Sequence, residues 1–341
     1  MLVVHFLNVG HGDCTVIAHP SGRLTMIDCN ASVDYDSESQ REFVEERARR
    51  LSANPLASAA IGGGIAGFSP FGLDTRAPGG AISDQLGYLS ALDEARRELT
   101  DPIEFMLRRY PGRRLWRYVQ SHPDLDHMRG IKRLSEAVGF DNFWDTAHTK
   151  PAPNFQSDDD EADWTFYQRL RSGGGQSLRF HRGDERFAFA RDEGGLPGGD
   201  QIEVLSPTPA LVQACNDRTE SNDLSYVLRV RHAGRGVLLP GDAESVAWAV
   251  MRLHYASSLR SDVLKAAHHG RDSGYDLEAL KLIAPTAVIV SVGRKPPTDA
   301  SNKYHAQCGW VMSTRYYGDI ELQIHDDGTL HWFVQRNAGK P

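Results

Sequence analysis

The stretch Ser121-His-Pro-Asp-Leu-Asp-His127 places four metal-binding side chains, His122, Asp124, Asp126 and His127, within six residues. It directly follows Leu115 to Gln120, an apolar run of strand character, and precedes Arg129 to Val138, whose apolar spacing is helical. Two imidazoles and two carboxylates at that density are costly to bury unless a positive charge offsets their desolvation. A divalent cation supplies that charge. Because strand side chains alternate in direction, His122 and Asp124 can face one ion while Asp126 and His127, past the bend into the helix, face a second. The spacing therefore predicts a centre for two metal ions.

Working outward, two more strand ends carry suitable groups. Asp242 follows Pro240-Gly241 after the apolar run Gly236 to Leu239, where one carboxylate is well placed to bridge two ions. His268-His269-Gly270 follows the strand Asp262 to Ala266. Either histidine can be the ligand; His268 is favoured because it comes first after the strand, which leaves His269 near the substrate. Asp145 and His148, after Phe143-Trp144, stand at another strand end, from which they can reach substrate.

Around these motifs the chain reads as alternating strands and helices in two similar halves. Leu2 to Asn8, Cys14 to Ala18 and Leu24 to Ile27 form an antiparallel meander with Gly and Pro in its turns. Residues 30–113 read as an insertion: helical stretches at Ser39 to Ser52 and Ala91 to Arg109 flank the Gly-rich run Ile61 to Gly72, a linker or a flap over a site. Residues 151–200 are polar and acidic and read as surface connections. The second half comprises strands Gln201 to Leu205, Ser225 to Arg231, Gly236 to Leu239, Asp262 to Ala266 and Ala287 to Val292. Helices Ser245 to Ser258 and Leu277 to Ile283 lie among them, and a hairpin, Ile320 to Val334, closes on an Asp-Asp-Gly turn. The expectation is one domain over 1–341 with the insertion inside it.

The chain has 341 residues with 38 Lys+Arg against 45 Asp+Glu, a net charge of −7, so its total charge gives no attraction for a polyanion. A local set, Arg129, Lys132, Arg133, Lys265, Arg271, Arg294 and Lys295, can still neutralise phosphates. Cys14, Cys29, Cys215 and Cys308 form no Cys-x-x-Cys pair and read as reduced thiols. The first residues lack a signal-peptide pattern, and no apolar run approaches the roughly 20 residues that span a bilayer. These features predict a cytoplasmic protein without a membrane partner.

The sequence resembles the metallo-β-lactamase-fold hydrolases, in particular the branch containing the hydrolase domain of the competence protein ComEC. The resemblance rests on Phe6-Leu-Asn-Val-Gly-His-Gly-Asp13, Met26-Ile-Asp28, Ser121-His-Pro-Asp-Leu-Asp-His127, Asn222-Asp-Leu-Ser-Tyr-Val-Leu228, Leu238-Leu-Pro-Gly-Asp242, Leu264-Lys-Ala-Ala-His-His-Gly270 and Val288-Ile-Val-Ser-Val-Gly293, in that order. It implies an α/β (α+β) fold, a four-layer αββα sandwich with the metal site at the edge between two sheets. The general family has His where Asp124 stands, and this oxygen ligand widens the preference from Zn²⁺ toward Mn²⁺. The family's third-motif histidine is replaced around Asn222; no His lies between His181 and His232. Asn302-Lys-Tyr-His305 is similar to an Asn-x-Tyr-x-His element of the branch, one residue shorter.

The resemblance implies hydrolysis of phosphodiesters or phosphate esters, on nucleic acid or a nucleotide, by hydroxide shared between two ions about 3.5 to 4 Å apart. Asp126 would take the proton of the water, and His269 or His305 would protonate the leaving group. The alternatives are lactone, amide or thioester hydrolysis at the same centre, or an idle metal-binding regulatory module.

Overall fold

A computed structural model describes residues 1–31, 96–173, 177–182, 200–293 and 297–336. The expected Ser39 to Ser52 helix, the Gly-rich run from Ile61 to Gly72, and Arg294 and Lys295 lie outside them. The architecture is that of the unit formed by Met1–Ser32 and Thr100–Pro341.

Short runs of β-branched and apolar residues make the strands β1 (Leu2–Phe6), β2 (Thr15–Ala18), β3 (Leu24–Ile27), β4 (Leu115–Val119), β5 (Phe140–Trp144), β6 (Ser177–Leu178) and β7 (Ile202–Ser206). They continue with β8 (Val227–His232), β9 (Arg235–Leu239), β10 (Val263–Lys265), β11 (Ala287–Val290), β12 (Val311–Ser313), β13 (Ile320–Ile324) and β14 (Leu330–Val334). One sheet has the order β14-β13-β1-β2-β3-β4-β5-β6 and the other β12-β11-β10-β9-β8-β7.

The two sheets follow one plan. In the first, β1, β2 and β3 pair antiparallel, after which β3, β4, β5 and β6 run parallel. In the second, β7, β8 and β9 pair antiparallel and β9, β10, β11 and β12 run parallel. The hairpin β13-β14 then adds to β1, with Leu2 opposite Ile324.

Apolar side chains divide into three clusters that define four layers. Between the sheets lie Leu2, Val4, Phe6, Val119 and Trp144 from one and Val204, Leu228, Val237, Val263 and Ile289 from the other. The outer face of the first sheet packs Met26, Tyr118 and Phe143 against helix residues Ile103, Met106, Leu134, Trp164 and Tyr167. The outer face of the second packs Leu238, Leu264 and Val288 against Leu211, Trp248, Met251, Leu280 and Tyr304. This is the αββα arrangement that the motifs implied. Among the described residues no helix is long and apolar enough to cross a membrane.

Residues 151–200 are not merely surface connections, because a helix, Asp158–Ser172, forms within them. Ser157 Oγ caps it by accepting from Asp160 N at 3.1 Å, and its first turn carries Asp158, Asp159, Asp160 and Glu161. Acidic residues there are favoured by the helix dipole, so an acidic run that looks like coil starts a helix. Asp163 on its buried face accepts from Gly130 N at 2.6 Å and Lys132 N at 3.0 Å, which caps the next helix, Ile131–Ala137. The predicted helix from Ala91 to Arg109 is interrupted: Asp101 caps a new one, Pro102–Arg109, with Oδ1 accepting from Ile103 N at 2.8 Å.

Two buried histidines outside the strand ends make stability depend on pH. Burial pushes His19, whose Nε2 lies 2.8 Å from Thr25 Oγ1, down to about 3 against the opposing pull of Asp200. Burial likewise pushes His5 down to about 4. An unfolded histidine titrates near about 6.5, so below that pH the unfolded chain binds protons that the folded one refuses. Their contribution to stability is whole above about pH 6.5 and is lost as pH falls toward those lowered values. Urea midpoints measured from pH 7.5 to 4.5 should fall steadily, and His19→Gln should flatten the decline; an unchanged slope would remove His19 from this account.

Candidate metal centre

Parallel strands present their C-terminal ends on one side of a sheet, where polar groups are free of ladder pairing. Here β3 leads into Asp28, β4 into Ser121 and His122, β9 into Asp242, and β10 into His268 and His269. The loop from β1 to β2 joins them, with Asp13 N donating to Asp126 O at 3.3 Å. Gly12 in that loop has φ +146, and a Cβ there would meet Asp126 O at 2.5 Å, so only glycine allows this approach.

At the middle sits the Asp242 carboxylate. Its Oδ2 lies 3.4 Å from both His127 Nε2 and His269 Nε2, and 3.8 Å from both His122 Nε2 and His268 Nε2. His269 Nε2 is also 3.4 Å from Asp126 Oδ2. Among the described residues, two sets of donor atoms lie within 4.8 Å of one another: Asp13, His127, Asp242 and His269, all buried, and His11, Asp126 and His269.

These residues fit a metal by three observations. First, His122 Nε2, His127 Nε2, His269 Nε2 and Asp242 Oδ1 are buried without a hydrogen-bond partner, which costs about 1 to 3 kcal/mol each unless a cation is accepted. Second, a tetrahedral ion with arms of about 2.0 to 2.1 Å separates its ligands by roughly 3.3 Å, close to the spacing found. Third, the far nitrogen of each imidazole is held. His127 Nδ1 donates to Asp28 Oδ2 at 2.7 Å, and His269 Nδ1 to Ser291 O at 3.2 Å. Ser121 Oγ donates to Asp28 Oδ2 at 2.6 Å and so accepts from His122 Nδ1 at 3.1 Å. Each ring is thereby fixed with its Nε2 lone pair toward the centre.

Electrostatics agree with a site suited to positive charge. Burial opposes a charge on His269, yet Asp242 and Asp13 hold it well above the usual histidine range; His127 is held up by Asp242, Asp28 and Asp126 against the same penalty. Burial likewise opposes charge on Asp126, Asp242 and Asp13, but the neighbouring histidines, with Lys265 for Asp13, keep all three below the carboxylate range. His122 is pushed down by burial and by His127. A divalent ion held by these residues would take over the role of those protons.

Of the predicted residues, the structure brings His122, Asp124, Asp126, His127, Asp242 and His269 together, and it alters several assigned roles. His269 rather than His268 belongs to both donor sets, because both residues adopt the left-handed conformation, φ 49 and 54, and the turn carries the second ring inward. His268 is half-buried at the rim, with Nδ1 2.7 Å from Glu244 Oε1 and 2.8 Å from Ser273 Oγ. His305 is exposed at the end of helix Ser301–His305 and is not among the assembled groups. Asp145 and His148 are structural: Tyr167 Oη donates to Asp145 Oδ1 at 2.5 Å, Arg171 Nε to Asp145 Oδ2 at 2.6 Å, and His148 Nε2 lies 2.7 Å from Tyr167 Oη.

The basic set is mostly engaged. Lys265 is buried on Asp13, Arg129 pairs with Asp160 at 2.8 Å, and Arg133 pairs with Asp101. Arg271 lies 3.2 Å from His11 Nε2, beside the centre. The sequence reading gave no role to His11, Asp13 or Asp28, although the last stands at a strand end just as Asp242 does.

No known family profile matches the chain. It is 26% identical over 140 residues to ComE operon protein 3 of Bacillus subtilis (strain 168), which supports the relation to the ComEC-like branch. The match takes in 41% of this chain and 16% of that protein. Among solved structures it is similar to Igni18, a metallo hydrolase from the hyperthermophilic archaeon Ignicoccus hospitalis, at 13% identity and TM-score 0.44, covering 97% of this chain and 98% of the other. It is also similar to CmlA, a diiron β-hydroxylase from Streptomyces venezuelae, at 13% identity and TM-score 0.39, covering 85% and 44%.

Asp28 reaches the metal position only through other side chains, which gives a sharp test. Asp28→Asn loses the acceptor for His127 Nδ1 and should weaken Zn²⁺ binding by about 10- to 100-fold in competition with a chromophoric chelator, with the circular dichroism unchanged. Affinity equal to that of the wild type would show that Asp28 does not orient the ligands.

Proposed function

We propose that the protein is a metal-dependent hydrolase of phosphodiesters or phosphate esters, with nucleic acid or a nucleotide as substrate and two divalent ions, Zn²⁺ or Mn²⁺, at the centre. The observation that carries the metal reading is the set of orphaned Nε2 atoms of His122, His127 and His269 around Asp242. His127, His269, Asp242, Asp13 and Asp126 would hold one ion; His122, Asp124 and Asp242 the other. Bound there, the ions supply Lewis acidity and a water acidic enough to attack near neutral pH.

The remaining work falls to the chain. Asp126 has a side chain 27% exposed, so its carboxylate reaches both the centre and the solvent and can accept the proton of the attacking water. Arg271, beside His11, presents a guanidinium suited to an anionic phosphoryl oxygen. His268, held at Nδ1 by Glu244 with Nε2 facing Asp242, is the rim residue placed to give a proton to the leaving oxygen. It takes the role expected of His269, which lies among the donor groups, or of His305, which is exposed elsewhere. No protein nucleophile is required.

The test combines metal content with hydrolysis of bis(p-nitrophenyl) phosphate by wild type, chelator-stripped and Zn²⁺- or Mn²⁺-restored protein. Turnover should vanish on stripping and return with the ion, and Asp126→Ala and Asp242→Ala should lower it by about 10²-fold or more without unfolding. Bound metal with turnover of a lactone and none of the phosphodiester would overturn the substrate assignment; protein that binds no ion would overturn the class.

A further inference from the structure

At the His122–Asp124 side of the centre a cation is already built into the chain. Lys150 Nζ lies 2.5 Å from Asp124 Oδ1 and 3.1 Å from Ser221 Oγ, and Ser221 Oγ itself lies 3.0 Å from the same carboxylate oxygen. That oxygen is 3.7 Å from His122 Nε2, the buried nitrogen that has no hydrogen-bond partner and also faces Asp242 Oδ2 at 3.8 Å.

The lysine is held there by its backbone. Lys150 N donates to His148 Nδ1 at 3.0 Å, and Thr149 N to Asn216 Oδ1 at 3.0 Å. Arg171 clamps the same loop through His148 O at 2.8 Å while it pairs with the buried Asp145. An exposed Lys–Asp pair contributes little, largely because two side chains must be ordered. Here the backbone that carries the lysine is already fixed, so less ordering is left.

The two halves of the centre are therefore unequal. One offers His127, His269, Asp126, Asp242 and Asp13, whose Oδ2 is held by the buried Lys265 while its Oδ1 has no hydrogen-bond partner. The other offers His122, Asp124 and Asp242, with one Asp124 oxygen occupied by an ammonium and a hydroxyl. An ammonium and a divalent ion cannot share one carboxylate oxygen at contact distance without mutual repulsion.

Building on the metal reading above, we propose that Lys150 competes with the ion at the His122–Asp124 position, so that the centre loads in sequence. The His127–His269 position fills first. The second ion enters as Lys150 leaves Asp124, and the released ammonium then faces the mouth of the centre, where an anionic substrate oxygen is its natural partner. Lys150 is thus a positioning residue that sets how many ions the centre holds at a given metal concentration.

The experiment titrates metal-stripped protein of residues 1–341 with Mn²⁺, counting ions by calorimetry and following the spin-coupled pair by electron paramagnetic resonance. Wild type should bind one ion tightly and the second about ten-fold or more weakly. Lys150→Met, which keeps the stem and removes the charge, should tighten the second ion about ten-fold with the first within about two-fold, whereas Lys150→Arg should keep the gap. Lys150→Gln gives the same reading if the methionine variant does not fold. Second-ion affinity in the uncharged variants equal to or weaker than wild type overturns the competition and leaves the hydrolase reading intact. No Mn²⁺ bound by wild type or any variant overturns the metal reading itself.

Discussion

The Asp28 carboxylate accepts hydrogen bonds from Ser121 N, Ser121 Oγ and His127 Nδ1, and the geometry of the centre follows from that one buried group. It fixes the ring of His127 directly and that of His122 through Ser121 Oγ, and it holds the end of β3 against the end of β4. Three donors saturate most of its acceptor capacity, which is how a carboxylate so deeply buried is tolerated. Asp28 itself adopts φ 59, a conformation rare for residues with a Cβ and found where surrounding structure over-determines the backbone.

The two sheets repeat a plan of antiparallel meander followed by parallel strands, and the repeat explains why the side chains meet. Asp28 ends the third strand of one half and Asp242 the third strand of the other; His122 and His269 follow the next strand in each. One aspartate faces away from the metal position and orients ligands, while its counterpart faces inward among four imidazole nitrogens. Similar backbones thus yield a support on one side and a bridge on the other. The difference lies in direction: Asp28 turns to the Ser121 amide, and Asp242 is turned inward after Gly241, whose own φ is 55.

Much of this was legible in the sequence. Strand positions followed from short β-branched runs, and the density of ligands from 122 to 127 announced the site, because such clustering has few other physical causes. What escaped the sequence depended on packing at a distance. The choice between His268 and His269 turns on two successive left-handed residues, which no side-chain pattern encodes. The role of Asp13 arises from a loop that glycine lets approach Asp126, and Lys150 reaches Asp124 across 26 residues through a loop anchored on a helix that was read as coil. His305 matched a motif, yet its short helix leaves it exposed.

The register of β1 has a consequence for biosynthesis. This strand lies between β2 and β13, with Leu2 opposite Ile324, so one of its two edges stays unpaired until the distant β13 hairpin has left the ribosome. The ligands are spread in the same way, from Asp13 to His269, and no early segment can assemble the centre alone. The donor set is therefore complete only once strands of both halves have been made. A nascent chain therefore carries an open, apolar strand edge for most of its synthesis.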